Sequence, residues 1–437
     1  MRWRRRDERP GRHRFHYAWI IVFLGHLNVL CALGLGRFGY TMILPAMKEG
    51  LQLTYAETGW LATGNFLGYL TSSLLAGLIA SRWSHRRLIL LALWGLAACL
   101  ACTALVTGFP SAFVARMFTG LASGALYIPA MTLPTIWFTP RRRGMAAGIQ
   151  TGGSGLGLIL SGLLIPEILR RFGPAGWRYA WILLATLVVL VWLVTFAFVR
   201  NRPEDVDERP YGTGEAVPSP PGSTARWREV FANPGLWALG GVFACFGFSY
   251  IIYVTFFAAY LVKEGGFSAD AAGRLWGLAG ALSLSSGLVW GAVTDKIGKR
   301  FGLAIVFGLH AVSFATFALG RTGPAFLFSA ILFGLTAWSI PAIMAAAVGE
   351  YTRTSLAAAA LGFLTIIFGL GQAIGPPIAG RLADWTRSFS DAFLLASGVA
   401  VLGCLGALAL RSPSRPASSK GSSRDERQPS GMEGRLR

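Results

Sequence analysis

Apolar runs of about twenty residues recur twelve times along this chain, and that recurrence leaves few folds open. A run of that length crosses the hydrocarbon core of a bilayer as a helix. Inside hydrocarbon every backbone polar group must be satisfied by the segment itself or by a closed barrel. A barrel would show short segments alternating between apolar and polar residues, and none are present. The runs fall at 17–46, 57–80, 87–107, 110–138, 144–168, 176–199, 234–262, 270–294, 300–320, 324–349, 354–383 and 388–411. Charged residues make up 14% of the chain, against about 25% in a soluble domain, and mean hydropathy is +0.53. The expected fold class is an all-α polytopic membrane protein.

Six runs lie on each side of a polar stretch at 200–233, which holds "RPEDVDERP" and "VPSPPGS" and reads as a linker. The expected organisation is a basic tail at 1–16, a six-helix bundle at 17–199, the linker, a second bundle at 234–411, and a disordered tail at 412–437. Residues 1–16 followed by an apolar run have the outline of a signal peptide. The run from Tyr17 to Met47 is too long for one, and it is read as a retained first helix. The net charge of +20 invites a nucleic-acid reading, but its distribution argues against one. With the amino terminus in the cytoplasm, 29 Lys and Arg fall on the cytoplasmic side and nine outside, while Arg37 and Arg116 fall within runs. The expectation is a bacterial inner-membrane protein with both termini cytoplasmic, its basic tails facing solvent and lipid headgroups. The five cysteines all lie in apolar runs and read as small packing residues; no metal or cofactor is expected.

The two halves carry one repeat at a fixed offset. "GLIASRWSHRR" from Gly77 answers "GAVTDKIGKR" from Gly291; "GIQTGGSGLG" from Gly148 answers "GFLTIIFGLG" from Gly362; Gly120-Leu121 answers Gly334-Leu335; each offset is 214. Two related six-helix bundles about an axis along the membrane normal, with a substrate site between them near mid-depth, is a transporter architecture.

With these motifs in view, the chain resembles the major facilitator superfamily over residues 17–411. "GAVTDKIGKR" fits that family's loop pattern of Gly, Asp four residues on, Gly, and a basic pair; "RMFTGLASG" resembles its fourth-helix signature. "RRRGMAAGIQTGGSGLG" and "FGLGQAIGPPIAGRLAD" are similar to branches described as sugar-efflux-like, or as oxalate/formate and monocarboxylate permeases. The first-half loop departs from the pattern, with Ser81 in place of Asp and Ser84 in place of Gly. The resemblance implies gating contacts at one face. Asp295, with Gly291, Gly298 and Arg300, would latch onto Arg142 and its neighbours, and Glu350 would meet Arg82, Arg86 and Arg87.

No acidic residue lies deep in a run: Glu57, Glu167, Asp270, Glu350 and Asp384 stand near predicted ends. The interior candidates are basic, and intramembrane ionisable groups mark functional sites by default. On a regular helix His26 and Arg37 lie about 20° apart in azimuth, together with Tyr40. Arg37 reads either as an anion ligand, with His26 as a proton carrier, or as a side chain snorkelling to headgroups near a helix end at Pro45. Arg116 carries the same two readings, and its repeat mate is Ala330. Asn65, Tyr69, Gln150, Tyr250, Tyr253 and Gln372 are polar candidates for the cavity, with helix–helix hydrogen bonding as the competing role.

The functional expectation is a monomeric secondary transporter, symporter or antiporter, moving a small organic anion by alternating access, with protons as a possible coupling ion. Efflux of a neutral sugar or drug is the alternative within transport. A membrane sensor or scaffold is the alternative outside it, and it lacks a folded appendage. An enzyme is not expected: no HExxH, nucleotide-binding glycine loop or intramembrane acidic pair occurs.

Overall fold

The computed structural model describes residues 15–80, 83–212, 227–353 and 356–410. Most of the basic amino-terminal tail, the middle of the linker, Ser81, Arg82 and the carboxyl-terminal tail lie outside the described residues. Twelve helical rods run through the described part: α1 (Ala18–Leu51), α2 (Tyr55–Ala80), α3 (His85–Thr103), α4 (Phe109–Trp137), α5 (Pro140–Thr151 continuing as Gly153–Phe172), α6 (Gly176–Phe198), α7 (Pro234–Lys263), α8 (Ala269–Ile297), α9 (Lys299–Leu319), α10 (Gly323–Tyr351), α11 (Ala357–Thr386) and α12 (Ser390–Ala409). Ten stretches are long and apolar enough by composition to cross a membrane. One of them, Pro140–Phe198, contains both α5 and α6. The stretch not counted is α2, diluted by Thr58, Thr63, Asn65 and Ser72, which all turn into the protein interior.

Three rods are broken near mid-length. In α1, Leu30–Phe38 winds as a π-helix between two α-helical segments. In α5 the break falls at Gly152. In α10 it falls at Ala337–Trp338, three residues before Pro341, which cannot donate a backbone bond. Backbone irregularity at membrane depth is tolerated where it is buried in protein or lines a cavity.

The repeat seen in the sequence is also a repeat of contacts. A Cβ on Gly120 would fall 1.8 Å from the Asn65 carbonyl oxygen, and one on Gly334 would fall 2.8 Å from that of Ala279. Both members of the first pair map onto the second at the offset of 214. Gly155 packs against Gly280 as Gly369 packs against Phe66, and the same offset relates those pairs. Glycine is required at such crossings because the backbones themselves touch.

The two sets of six rods meet along three seams, α2 with α11, α5 with α8, and α1 with α7. The face carrying Tyr17, Phe198 and Asn233 is here the terminal face, and its opposite the loop face. At the terminal face residues 200–212 fold back onto the first six rods. Glu208 accepts from the Tyr17 backbone N–H at 3.0 Å, and Tyr211 stacks edge-on against Trp19 and Phe138. The first third of the expected linker is therefore docked.

Candidate functional site

Every described hydrogen bond between the two bundles lies at or above the depth of Arg37. At the loop face the Asp384 carboxylate, at the end of α11, accepts from the backbone N–H of Tyr55 at 2.9 Å and of Ala56 at 2.8 Å. These are unpaired donors of the first turn of α2, where the helix dipole also favours a negative charge. The Tyr55 ring lies between the Lys48 and Lys263 ammonium groups, each 4.5 Å from its centroid. Deeper in, Thr63 donates to the Ala373 carbonyl at 2.8 Å and Thr41 to the Val254 carbonyl at 2.7 Å. Then comes Arg37, whose Nη2 donates to Gln372 Oε1 across the interface. Between described residues, no hydrogen bond or ion pair joins the bundles on the terminal side of that contact.

Arg37 is placed by the π-helix of α1. The wider turn breaks the regular spacing by which His26, Arg37 and Tyr40 would share one face. The three side chains diverge. Arg37 reaches α11. Tyr40 turns to α6, its ring 6.4 Å from that of Trp181, and donates to the Thr58 carbonyl at 3.0 Å. His26 Nδ1 lies 2.7 Å from the Ile149 carbonyl at the break of α5. Nor does α1 end at Pro45: it continues to Leu51. Arg37 therefore sits about 20 Å of helix rise from that end, too deep to reach the headgroups there.

Around Arg37 the walls are aromatic. Its guanidinium carbon is 5.0 Å from the Phe66 ring centroid, 5.7 Å from Phe38 and 5.9 Å from Tyr69. Tyr69 faces Tyr127 at 6.1 Å. On the other bundle Gln372 donates through Nε2 to the Tyr250 hydroxyl. Trp338, at the break of α10, lies 5.3 Å from Phe38 and 6.5 Å from Tyr250. Between described residues, no carboxylate pairs with Arg37 or Arg116, whereas the loops hold such pairs as Arg170–Glu167.

Arg116 is 1% exposed, so it does not snorkel. Its Nη1 donates to the Gly36 carbonyl at 2.9 Å, and its guanidinium carbon lies 4.8 Å from the Tyr40 ring and 5.2 Å from the Trp181 ring. Asn65 donates to the Arg116 carbonyl at 3.1 Å and to that of Gly36 at 3.5 Å. The cavity shared by Arg37, Asn65 and Arg116 has a volume of about 10 Å³, far too small for an organic ligand. In this state Arg116 and Asn65 brace the π-turn that carries Arg37.

Two expected cavity residues lie elsewhere. Tyr253 is buried inside the second bundle, its hydroxyl 2.9 Å from Ser329 and its ring among Phe257, Phe314, Phe317 and Phe333. Gln150 is buried against α1 where Gly25 leaves room for its amide. The gating residues are apart. Asp295 pairs with Lys299 on its own chain segment, Arg142 lies 5.2 Å from the Tyr211 ring, and Arg300 lies 5.5 Å from Phe301. Arg86 donates to the Phe196 carbonyl at 3.0 Å, and among the described residues no ion pair joins Glu350 to Arg86 or Arg87. Nothing lies within 4 Å of a Cβ on Gly291 or Gly298. Gly298 ends α8 at φ +88°, a conformation that needs glycine. The expected Asp295–Arg142 latch is not made in this state: Lys299 takes the Asp295 carboxylate and Arg142 lies over Tyr211.

Sequence reasoning did not single out Trp338, Phe66, Tyr127 or Trp181. Pro341 was a usable signal for the break at Trp338; the other three are aromatic residues in apolar helices with no local mark.

Comparison with known proteins bears on the whole chain. Residues 29–408 match the family model described as "Uncharacterised MFS-type transporter YbfB". The hexuronate transporter of Bacillus subtilis is 25% identical over 414 residues, which span 88% of this chain and 92% of that protein. The 3-(3-hydroxy-phenyl)propionate transporter of Escherichia coli is 26% identical over 367 residues, 82% of this chain and 85% of that one. Among solved structures, a bacterial homologue of the human lysosomal transporter Spinster, inward-facing and unoccupied, matches with a TM-score of 0.69 at 17% identity. That match covers 91% of this chain and 96% of the other, and carries the fold alone.

Proposed function

The chain belongs to the major facilitator superfamily, in the MFS-type transporter family whose model spans residues 29–408, and from that premise we propose that it carries a small organic anion by alternating access, with Arg37 as the anion ligand. The observation that carries this is the unneutralised guanidinium at the meeting of the bundles. Arg37 comes from the first, Gln372 and Tyr250 come from the second, and among the described residues no carboxylate pairs with it. A half-buried cation at membrane depth without a counter-charge is costly, and a substrate carboxylate supplies that charge with bidentate geometry. Both hexuronate and 3-(3-hydroxyphenyl)propionate are carboxylates at neutral pH, which supports the same class.

The mechanism follows from where the contacts lie. The loop face is closed by Asp384 on the amino end of α2 and by the Thr63 and Thr41 bonds. Between described residues, no hydrogen bond or ion pair holds the terminal face, and we read it as the open one. With the termini in the cytoplasm, as the charge asymmetry favours, this is a state open to the cytoplasm. An anion entering from that side displaces Gln372 from Arg37 or joins it. Rocking then parts the loop-face contacts and brings Asp295 to the amino end of α5 beside Arg142. Each bundle pair holds a full site, so a monomer suffices. Proton coupling is assigned to His26, whose Nδ1 lies 2.7 Å from the Ile149 carbonyl at the break of α5.

Counterflow in proteoliposomes across carboxylates, neutral sugars and cationic drugs tests the reading. Exchange of carboxylates is expected; exchange of neutral compounds alone would remove the role given to Arg37.

A further inference from the structure

Resting on the anion reading above, we infer that the substrate is a monocarboxylate with a flat, apolar, aryl-type body, and that Tyr69, Tyr127, Trp338 and Phe368 form the walls that select it. These four residues are partly exposed and stand on both bundles around Arg37. Tyr69 is within 5.9 Å of the guanidinium carbon and faces Tyr127 at 6.1 Å. Trp338 and Phe368 flank Tyr250, at 6.5 Å and 6.1 Å, and Tyr250 takes the Gln372 amide.

The inference turns on which polar groups remain uncommitted. Side-chain amides are the usual partners of sugar-type hydroxyls. Of the two near Arg37, Gln372 is committed, accepting from Arg37 and donating to Tyr250. Asn65 donates to the backbone carbonyls of Gly36 and Arg116, and its unpartnered Oδ1 is sealed in a fully buried side chain, out of a ligand's reach. Arg37 itself has five N–H donors, and among the described residues its side chain makes one hydrogen bond, to Gln372. A carboxylate therefore finds donors. A ring finds aromatic faces in offset or edge-on geometry. A chain of hydroxyls finds few partners, and each one buried unpaired weakens binding by roughly tenfold. The indole N–H of Trp338 is buried without a partner, so one phenolic or carboxylate oxygen can be accepted on that wall.

The test is counterflow of radiolabelled 3-phenylpropionate by the wild-type full chain in proteoliposomes, competed with benzoate, propionate and glucuronate. Benzoate is expected to compete at least tenfold better than propionate or glucuronate. Y69L and W338L are expected to narrow that gap, and R37A to abolish exchange of every acid. The wild-type competition order stands even if a variant fails to fold. Glucuronate competing as well as benzoate, or better, overturns the aryl assignment and leaves the anion reading in place. No exchange of any carboxylate overturns both.

Discussion

The loop-face latch gives the sharpest prediction about state populations. In Asp384→Asn one oxygen survives to accept from Tyr55 or Ala56, while one bond and the negative charge at the amino end of α2 are lost. A hydrogen bond to a charged group contributes about 1.5–3 kcal/mol, and a charge at a helix end about 0.3–1 kcal/mol. Asp384 is exposed, so the low end applies, and a net loss of about 1–2 kcal/mol is expected for the loop-face-closed state. That corresponds to a roughly 5–30-fold shift of the equilibrium toward the loop-face-open state. The readout is the distance distribution between spin labels at Glu49 and Trp385, both exposed near the latch on opposite bundles, in a background lacking the native cysteines. The long-distance population should grow in Asp384→Asn and grow further in Asp384→Ala, with expression unchanged. Identical distributions in all three proteins would refute the latch, and with it the assignment of the loop face as the closed gate.

Other outcomes follow from the same geometry. Gly120→Ala forces a methyl within 1.8 Å of the Asn65 carbonyl, so α2 and α4 must part. Overpacking of this kind costs about 1–3 kcal/mol and should lower the unfolding temperature in detergent more than Gly334→Ala, whose clash is at 2.8 Å. Asp295→Asn should abolish transport with expression retained, and undiminished uptake would show that the parted latch never closes in the cycle. His26→Gln should remove any stimulation of uptake by an imposed proton gradient while leaving counterflow intact; a gradient response that persists would assign coupling elsewhere.

Much of the fold was legible because the signals that specify it are long. Twelve apolar runs and a repeat offset of 214 survive errors of several residues at each end, and the contacts of Gly120, Gly155, Gly334 and Gly369 repeat at that same offset. The site was legible in its residue types but not in its geometry. Arg37, Gln372, Tyr250 and Tyr69 gather as a charge and polar groups in apolar helices would suggest. The helical arithmetic that put His26 and Tyr40 on the face of Arg37 assumed a regular helix. The π-turn at Leu30–Phe38 has no sequence mark beyond Gly34 and Gly36, and Arg116 holds it from another rod. Tyr253 and Gln150 show the complementary limit. A polar residue in an apolar helix reads the same whether it faces a cavity, a serine in a neighbouring helix, or a glycine that makes room for it.

The most direct test of the central claim is carboxylate counterflow by Arg37→Ala and Arg37→Lys beside wild type, at matched amounts of folded protein in proteoliposomes. If Arg37 is the anion ligand, Arg37→Ala loses exchange by at least 100-fold, the loss of a charge-assisted bidentate contact of about 3 kcal/mol. Arg37→Lys would keep the charge without the fork and recover only a small part. Wild-type exchange rates in Arg37→Ala would contradict the account.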